Sequence, residues 1–165
     1  ILIMNIKNLK IEEELLKFLL NLEIEKSVAL IKIMNVEKMH EKIQNILLKV
    51  AFEKESIIPY VVVVKLLLEK EMSDLHAFAS TLLSNPLCWI EGAYQAGFYH
   101  QKRAVQMEPY NIAYKEYLLS YNALPDEILS DEEALKIRKE IISLEPNNEF
   151  VKSYFSAKRF AEMLD

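Results

Sequence analysis

Residues 104–117, AVQMEPYNIAYKEY, and residues 141–154, IISLEPNNEFVKSY, decide the fold of this chain. Five positions are identical in the two stretches, starting with the Glu-Pro pairs at Glu108 and Glu145, and each lies 37 residues from its copy. A segment that recurs at a fixed spacing of about 20–50 residues is typical of helical repeats. We therefore expect residues 86–107 and 131–144 to be equivalent helices, each followed by a turn at its proline and by a new helix.

The composition favours a single all-helical domain. The chain has 165 residues, 52% of them apolar, and only two glycines, which leaves few residues suited to the turns of β-hairpins. A lone cysteine, Cys88, excludes an internal disulfide and indicates a reducing, cytoplasmic environment. The longest apolar run, Ile57–Val64, is interrupted by Pro59 and is far shorter than the ~20 residues that span a bilayer. We expect no membrane segment.

The spacing of apolar residues and the capping signals place the helices. Asn85 and Pro86 are suited to an N-cap and a first helical position, and Ser130 with Glu133 forms a capping-box pattern. A run of four valines, 61–64, leaves a buried strand open as an alternative to helix. Gly92 and Gly97 are predicted to lie in one helix, where small residues allow a neighbouring helix to approach closely. The predicted helices are 10–22, 25–34, 36–53, 58–71, 74–84, 86–107, 110–122, 131–144 and 148–163.

The C-terminal part of the chain resembles the tetratricopeptide family and related superhelical repeats. The matching residues, before the two Glu-Pro junctions, are Trp89, Gly92, Tyr94, Ala104 and Ala134. The period of 37 departs from the 34 residues of that family. The resemblance implies an irregular α-solenoid of helix-turn-helix pairs, with an irregular half over residues 1–84 and a tetratricopeptide-like half over residues 85–163.

Tyrosines mark a candidate binding surface. Tyr110, Tyr114, Tyr117 and Tyr121 recur at helical spacing on one predicted face. Half-buried tyrosines at the edge of a groove keep the ring inside and the hydroxyl in water, and tyrosine is enriched at protein interfaces. A plain core face is the alternative explanation.

Acidic residues mark a second part of that surface. No basic residue occurs between Lys115 and Lys136, whereas Asp126, Glu127, Asp131 and Glu132 lie in that window. Acids in the first turn of a helix complement its dipole, which explains Asp131 and Glu132 but not Asp126 and Glu127. We expect these four residues to steer a basic protein partner. A nucleic acid partner is not expected, since the chain lacks a clustered basic stripe.

The sequence offers little for catalysis or metal binding. His40, His76, His100 and Cys88 are the only candidates for a nucleophile or a neutral-pH base, and no recognised catalytic or metal-ligand motif surrounds them. We expect no enzyme activity, no metal and no cofactor. A deep pocket lined by His76, Cys88 and His100 together would favour the opposite conclusion.

These observations predict a protein-binding protein without catalysis. A small, acidic, single-domain helical protein is similar to immunity proteins, which neutralise a cognate toxin, often a basic nuclease, by occluding its active site. The alternative is a tetratricopeptide-like scaffold or regulator that docks a peptide or helix of its partner. The sequence does not specify the oligomeric state.

Overall fold

The computed structural model describes the backbone of residues 2–34, 41–124 and 128–154, and the side chains of these ranges from Lys10 onward. Within these ranges every regular element is a helix and no strand occurs, which confirms the predicted all-α fold. The helices pack in neighbouring pairs. Two compact units are present, Ile1–His100 (unit 1) and Gln101–Asp165 (unit 2), and the single-domain assignment stays a prediction. None of the described helices is both long and apolar enough to cross a membrane.

Unit 1 begins with five helices in the predicted order, although the first starts at Leu2, eight residues before the predicted start at residue 10. They are α1 (Leu2–Leu20), α2 (Ile24–Ile33), α3 (Glu41–Lys54), α4 (Ile58–Glu69) and α5 (Ser73–Ser84). Apolar residues three or four positions apart bury one stripe of each helix, as Leu15 and Leu19 do in α1. Residues 35–40, which contain the predicted start of the third helix, lie outside the described residues.

The valine run at 61–64 is helical, so the strand alternative was wrong. Helix α4 packs against α2, α3 and α5, and a helix with neighbours on several sides is apolar around most of its circumference. Burial of Val62, Val63 and Leu66 therefore outweighs the modest helix propensity of valine. Pro59 lies in the first turn, where its missing N–H costs no hydrogen bond.

The connection between α5 and the next helix corrects one prediction. Asn85 ends α5 instead of starting a helix, and its Nδ2 donates to the carbonyl of Thr81 at 3.0 Å. Residues 85–92 form turns and a bend, so the helix predicted from residue 86 begins only at Ala93. Gly92 has φ +78° in this connection, and no atom lies within 4 Å of the place of a Cβ. Gly92 therefore allows a left-handed backbone conformation in the connection and does not serve close helix packing. Of the two glycines predicted to lie in one helix, only Gly97 does so.

The remaining helices belong to unit 2 except for the start of α6 (Ala93–Met107), whose residues up to His100 lie in unit 1. Unit 2 continues with α7 (Ile112–Ser120), a 3-10 helix (Tyr121–Ala123), α8 (Asp131–Leu144) and a helical segment over residues 149–154. Helix α7 packs against α8. The predicted N-cap at Ser130 is confirmed, because its hydroxyl accepts from the Glu133 amide at 3.3 Å. The Glu133 carboxylate accepts from the same hydroxyl at 2.9 Å, whereas in a full capping box it accepts from the backbone N–H of the N-cap residue.

Candidate functional site

The two Glu-Pro junctions of unit 2 close with the same hydrogen bonds. At the first, Asn111 Oδ1 accepts from the amide of Tyr114 at 3.3 Å, and its Nδ2 donates to the Glu108 carboxylate at 3.0 Å. At the second, Asn148 Oδ1 accepts from the amide of Val151 at 2.9 Å, and its Nδ2 donates to the glutamate three residues before it at 2.7 Å. Each asparagine is therefore the N-cap of the helix that follows. The copied sequence forms a copied helix-turn-helix junction.

The second junction is also joined to α7 and its continuation. Asn148, which is buried, donates through Nδ2 to the Glu116 carboxylate at 2.6 Å. The hydroxyl of Tyr154 donates to Asn122 Oδ1 at 2.5 Å. These bonds connect segments 32 residues apart in sequence, so polar contacts join the second copy to α7 and its continuation.

The four predicted tyrosines lie in different environments. Helix α7 begins at Ile112, so Tyr110 precedes it in a turn and is 80% exposed. Tyr114 and Tyr117 are half-buried on α7, whereas Tyr121 is 1% exposed in the 3-10 helix. The rings of Tyr117 and Tyr121 meet edge to face, with centroids 6.3 Å apart. The row therefore passes from solvent to core: the first three tyrosines are at least partly accessible to solvent, and the buried Tyr121 packs against Tyr117.

The acidic residues of the candidate surface are exposed where the structure describes them. Asp131 and Glu132 lie in the first turn of α8, where acids complement the helix dipole. The Asp131 carboxylate accepts from Asn122 Nδ2 at 2.9 Å, and Glu132 pairs with Lys136 at 2.8 Å. Asp126 and Glu127 lie outside the described residues. The steering role of these acids stays a prediction.

One lysine of unit 2 is buried, which its position in the sequence did not predict. Lys115 is 5% exposed, and its ammonium group forms an ion pair with the carboxylate of Glu140 on α8. Its copy, Lys152, is exposed and pairs with Glu149 at 2.9 Å. The conserved spacing of the two lysines in the copy was a signal for a structural role, but their difference in burial depends on the packing of α8.

Unit 1 contains a second feature, a chain of polar side chains centred on two buried histidines. His76 on α5 and His100 on α6 are 6% and 8% exposed, and their Nδ1 atoms are 2.8 Å apart. His76 Nε2 lies 3.1 Å from the Glu71 carboxylate, and His100 Nε2 lies 3.2 Å from the Tyr60 hydroxyl. We call these four residues the histidine chain. The sequence showed the histidines 24 residues apart on separate predicted helices, so their contact depends on how α5 and α6 pack.

The hydrogen positions of the histidine chain follow from counting donors. A contact of 2.8 Å between two ring nitrogens requires a proton on one of them and a lone pair on the other. With both rings neutral, Tyr60 donates to His100 Nε2, His100 Nδ1 donates to His76 Nδ1, and His76 Nε2 donates to Glu71. Every member is then satisfied. If both rings were cationic, two N–H groups would face each other at this distance and the central bond would be lost.

Burial shifts the pKa values of two members of the histidine chain, and both shifts favour the neutral forms. Removal from water, and to a lesser extent the charge of the neighbouring His76, together lower the pKa of His100 from 6.5 to about 4. Burial also raises the pKa of the Tyr60 phenol, so Tyr60 is a neutral hydroxyl near pH 7. Both effects favour the neutral arrangement of His100 and Tyr60.

The described side chains are also relevant to a metal site and to the cluster that the enzyme alternative required. Among them no group of three or more His, Cys, Asp or Glu residues is placed to hold a metal ion. The enzyme alternative required a deep pocket lined by His76, Cys88 and His100 together. His76 and His100 are in contact, Cys88 is half-buried, and His40 lies outside the described residues. Comparison of the chain with protein families, curated proteins and solved structures finds no match. The class defined by the structure is thus an all-α protein with helices packed in neighbouring pairs.

Proposed function

We propose that this chain is a non-catalytic protein-binding protein and that unit 2 carries its binding surface. The observation that carries the proposal is the copied junction, which turns the chain between helices and leaves Tyr110 exposed beside the half-buried Tyr114 and Tyr117. Large aromatic side chains that are rigid and partly accessible are the side chains that dominate binding energy at protein interfaces. A fixed helix-turn-helix scaffold holds them with little loss of freedom on binding.

Within this class we propose an inhibitor of a basic, nuclease-type toxin, comparable to an immunity protein. The support is the acidic segment: Asp131 and Glu132 are exposed at the start of α8, and no basic residue occurs in sequence between Lys115 and Lys136. An acidic surface accelerates encounter with a basic partner, and occlusion of an active site needs no chemistry from the inhibitor. The copied junction also favours the second candidate, a tetratricopeptide-like scaffold that docks a peptide or helix.

The first experiment maps the surface in cells. A photo-crosslinking amino acid is introduced at Tyr110, and at the exposed Trp89 of unit 1 as the matched control. We expect one covalent adduct of defined mass from position 110 and none from position 89. Adducts from position 89 alone would place the partner surface outside the tyrosine row and contradict the proposal.

The second experiment separates inhibitor from scaffold, with the purified product of the adjacent gene as the probe. An inhibitor abolishes the toxicity or nuclease activity of that product at equal stoichiometry, whereas a scaffold binds it and leaves activity unchanged. Tyr117→Ala should weaken affinity by about 2 kcal/mol, the hot-spot scale, or roughly 30-fold. Glu132→Gln should slow association at low salt, and Glu149→Gln, an exposed acid outside the acidic segment, is the control. Absence of binding by both the wild type and its variants would exclude the product of the adjacent gene as the partner.

A further inference from the structure

We propose that the His76–His100 pair is a single-proton lock, which holds α4, α5 and the start of α6 together near neutral pH and releases them when both rings become protonated. The inference concerns unit 1 alone and does not depend on the proposed function of unit 2. It starts from the geometry of the pair, two buried rings joined through their Nδ1 atoms at 2.8 Å.

The pair connects three different elements. His76 belongs to α5, His100 to α6, and the hydroxyl that meets His100 comes from Tyr60 on α4. The rings of Tyr60 and His100 also meet edge to face, with centroids 5.8 Å apart. The central hydrogen bond therefore lies where these helices converge, and its loss separates polar groups that have little access to water.

The pair accepts one additional proton without losing that bond. With a single positive charge on the pair, the cation lies on His76, where Nε2–H faces the Glu71 carboxylate and Nδ1–H donates to His100. His100 then carries its hydrogen on Nε2 and donates to the oxygen of Tyr60. A second proton has no place, because both Nδ1 atoms would carry hydrogens and two adjacent cations would be buried.

The described groups that face the pair determine where a positive charge is stabilised. Among the described side chains, the Tyr60 phenol of α4, the Glu71 carboxylate of the α4–α5 connection and the Tyr99 phenol of α6 face the pair, and the Tyr99 ring lies 5.6 Å from that of His100. On α5, Asp74 precedes His76 by two residues. The Glu71 carboxylate lies at the far nitrogen of His76, so it stabilises the first charge and not a charge on His100.

The direction of the pH effect follows from linkage. In the unfolded chain a histidine takes up a proton near its ordinary pKa of 6.5, whereas in the folded protein His100 does so only near 4. Between these values the unfolded state binds more protons, so the folded state loses stability as pH falls. The stability present above pH 6.5 is lost progressively toward pH 4 and levels off below it.

The test compares unfolding of the full chain as a function of pH, followed by the fluorescence of Trp89, the single tryptophan, which lies in unit 1. From about pH 6.5 to pH 4.5 the unfolding equilibrium constant of the wild type should rise roughly 10- to 40-fold more than that of His100→Gln, which keeps a polar side chain but does not titrate. His40→Gln supplies the contribution of a histidine outside the pair. Equal pH dependence of the wild type and His100→Gln would overturn the lock.

A spectroscopic measurement keeps the proposal testable if His100→Gln does not fold. Ring nitrogen NMR of the wild type should show, near pH 7, one histidine protonated on Nδ1 and its partner unprotonated there. In His76→Gln the pKa of His100 should rise, because the imidazole that lowers it is gone. An unchanged pKa in His76→Gln would refute the coupling. A melting temperature that rises with added Zn²⁺, and does so only while both histidines are present, would assign the pair to a metal and overturn the lock.

Discussion

The ion pair between the buried Lys115 and Glu140 gives a prediction whose size depends on which partner is removed. Glu140→Ala leaves the ammonium of Lys115, 5% exposed, without its counterion. Loss of one partner of a fully buried pair costs about 3–5 kcal/mol, and the 55% exposure of the Glu140 side chain reduces this to an expected 2–4 kcal/mol. Lys115→Met removes the buried charge, keeps the volume and leaves a solvated carboxylate. We expect it to change stability by no more than about 1 kcal/mol.

The repeat supplies a matched control 37 residues further along the chain. Lys152 and Glu149 occupy exposed positions and pair at 2.9 Å. Exposed pairs contribute about 0–1 kcal/mol, because water screens the charges and both side chains lose freedom. Glu149→Ala and Lys152→Met should therefore both lie within about 0.5 kcal/mol of the wild type.

The assay is urea unfolding by circular dichroism, together with hydrogen exchange of peptides from α7, which reports on unit 2. Faster exchange in α7 is expected for Glu140→Ala and not for Lys115→Met. If Glu140→Ala were as mild as Glu149→Ala, the Lys115 ammonium would have to reach water by itself. If Lys115→Met cost as much as Glu140→Ala, the pair would be a net source of stability. Either result would refute the argument from burial.

Two further predictions concern the junctions between helices. Asn111→Ala should lower stability by about 1 kcal/mol, the usual contribution of an N-cap. Asn148→Ala should lower it by about 2–3 kcal/mol, because this buried side chain also donates to a carboxylate of α7. Hydrogen exchange of the amides at the start of each helix measures the two losses of stability, and equal losses would contradict the prediction. Gly92→Ala should cost about 1–2 kcal/mol from backbone strain alone, since no atom obstructs the new Cβ, and Gly92→Asn should cost less because asparagine tolerates this conformation. A tolerated Gly92→Val in thermal unfolding would show that the φ of +78° is not required.

The elements that sequence predicted well are those specified by nearby residues. The N-cap at Ser130 and the two asparagine junctions depend on partners three residues away, so their hydrogen bonds follow from local order. The error at residues 86–92 has the same origin. A proline after an asparagine is suited to starting a helix, but Asn85 also serves the end of α5, and Gly92 takes the left-handed conformation that delays the next helix.

The features that sequence did not predict depend on distant partners. Tyr110 and Tyr121 belong to one helical pattern, yet one is exposed and the other is core, because α7 starts after the first and a 3-10 helix holds the second. The contact between His76 and His100 requires α5 and α6 to meet in a particular register. Single-residue patterns contain no information on such a register, so both histidines looked like ordinary helix residues.

The environment of α4 has a consequence for the handling of this protein. The segment Ile57–Val64 is uncharged and rich in β-branched residues, and from Ile58 onward it belongs to α4, which packs against three other helices. Once those helices separate, the same residues have the composition of segments that pair into intermolecular sheets, with Pro59 as the single interruption. Aggregation should therefore begin from partly opened unit 1, rise steeply with protein concentration, and be suppressed by a charged residue at Val61, a partly exposed position of this segment.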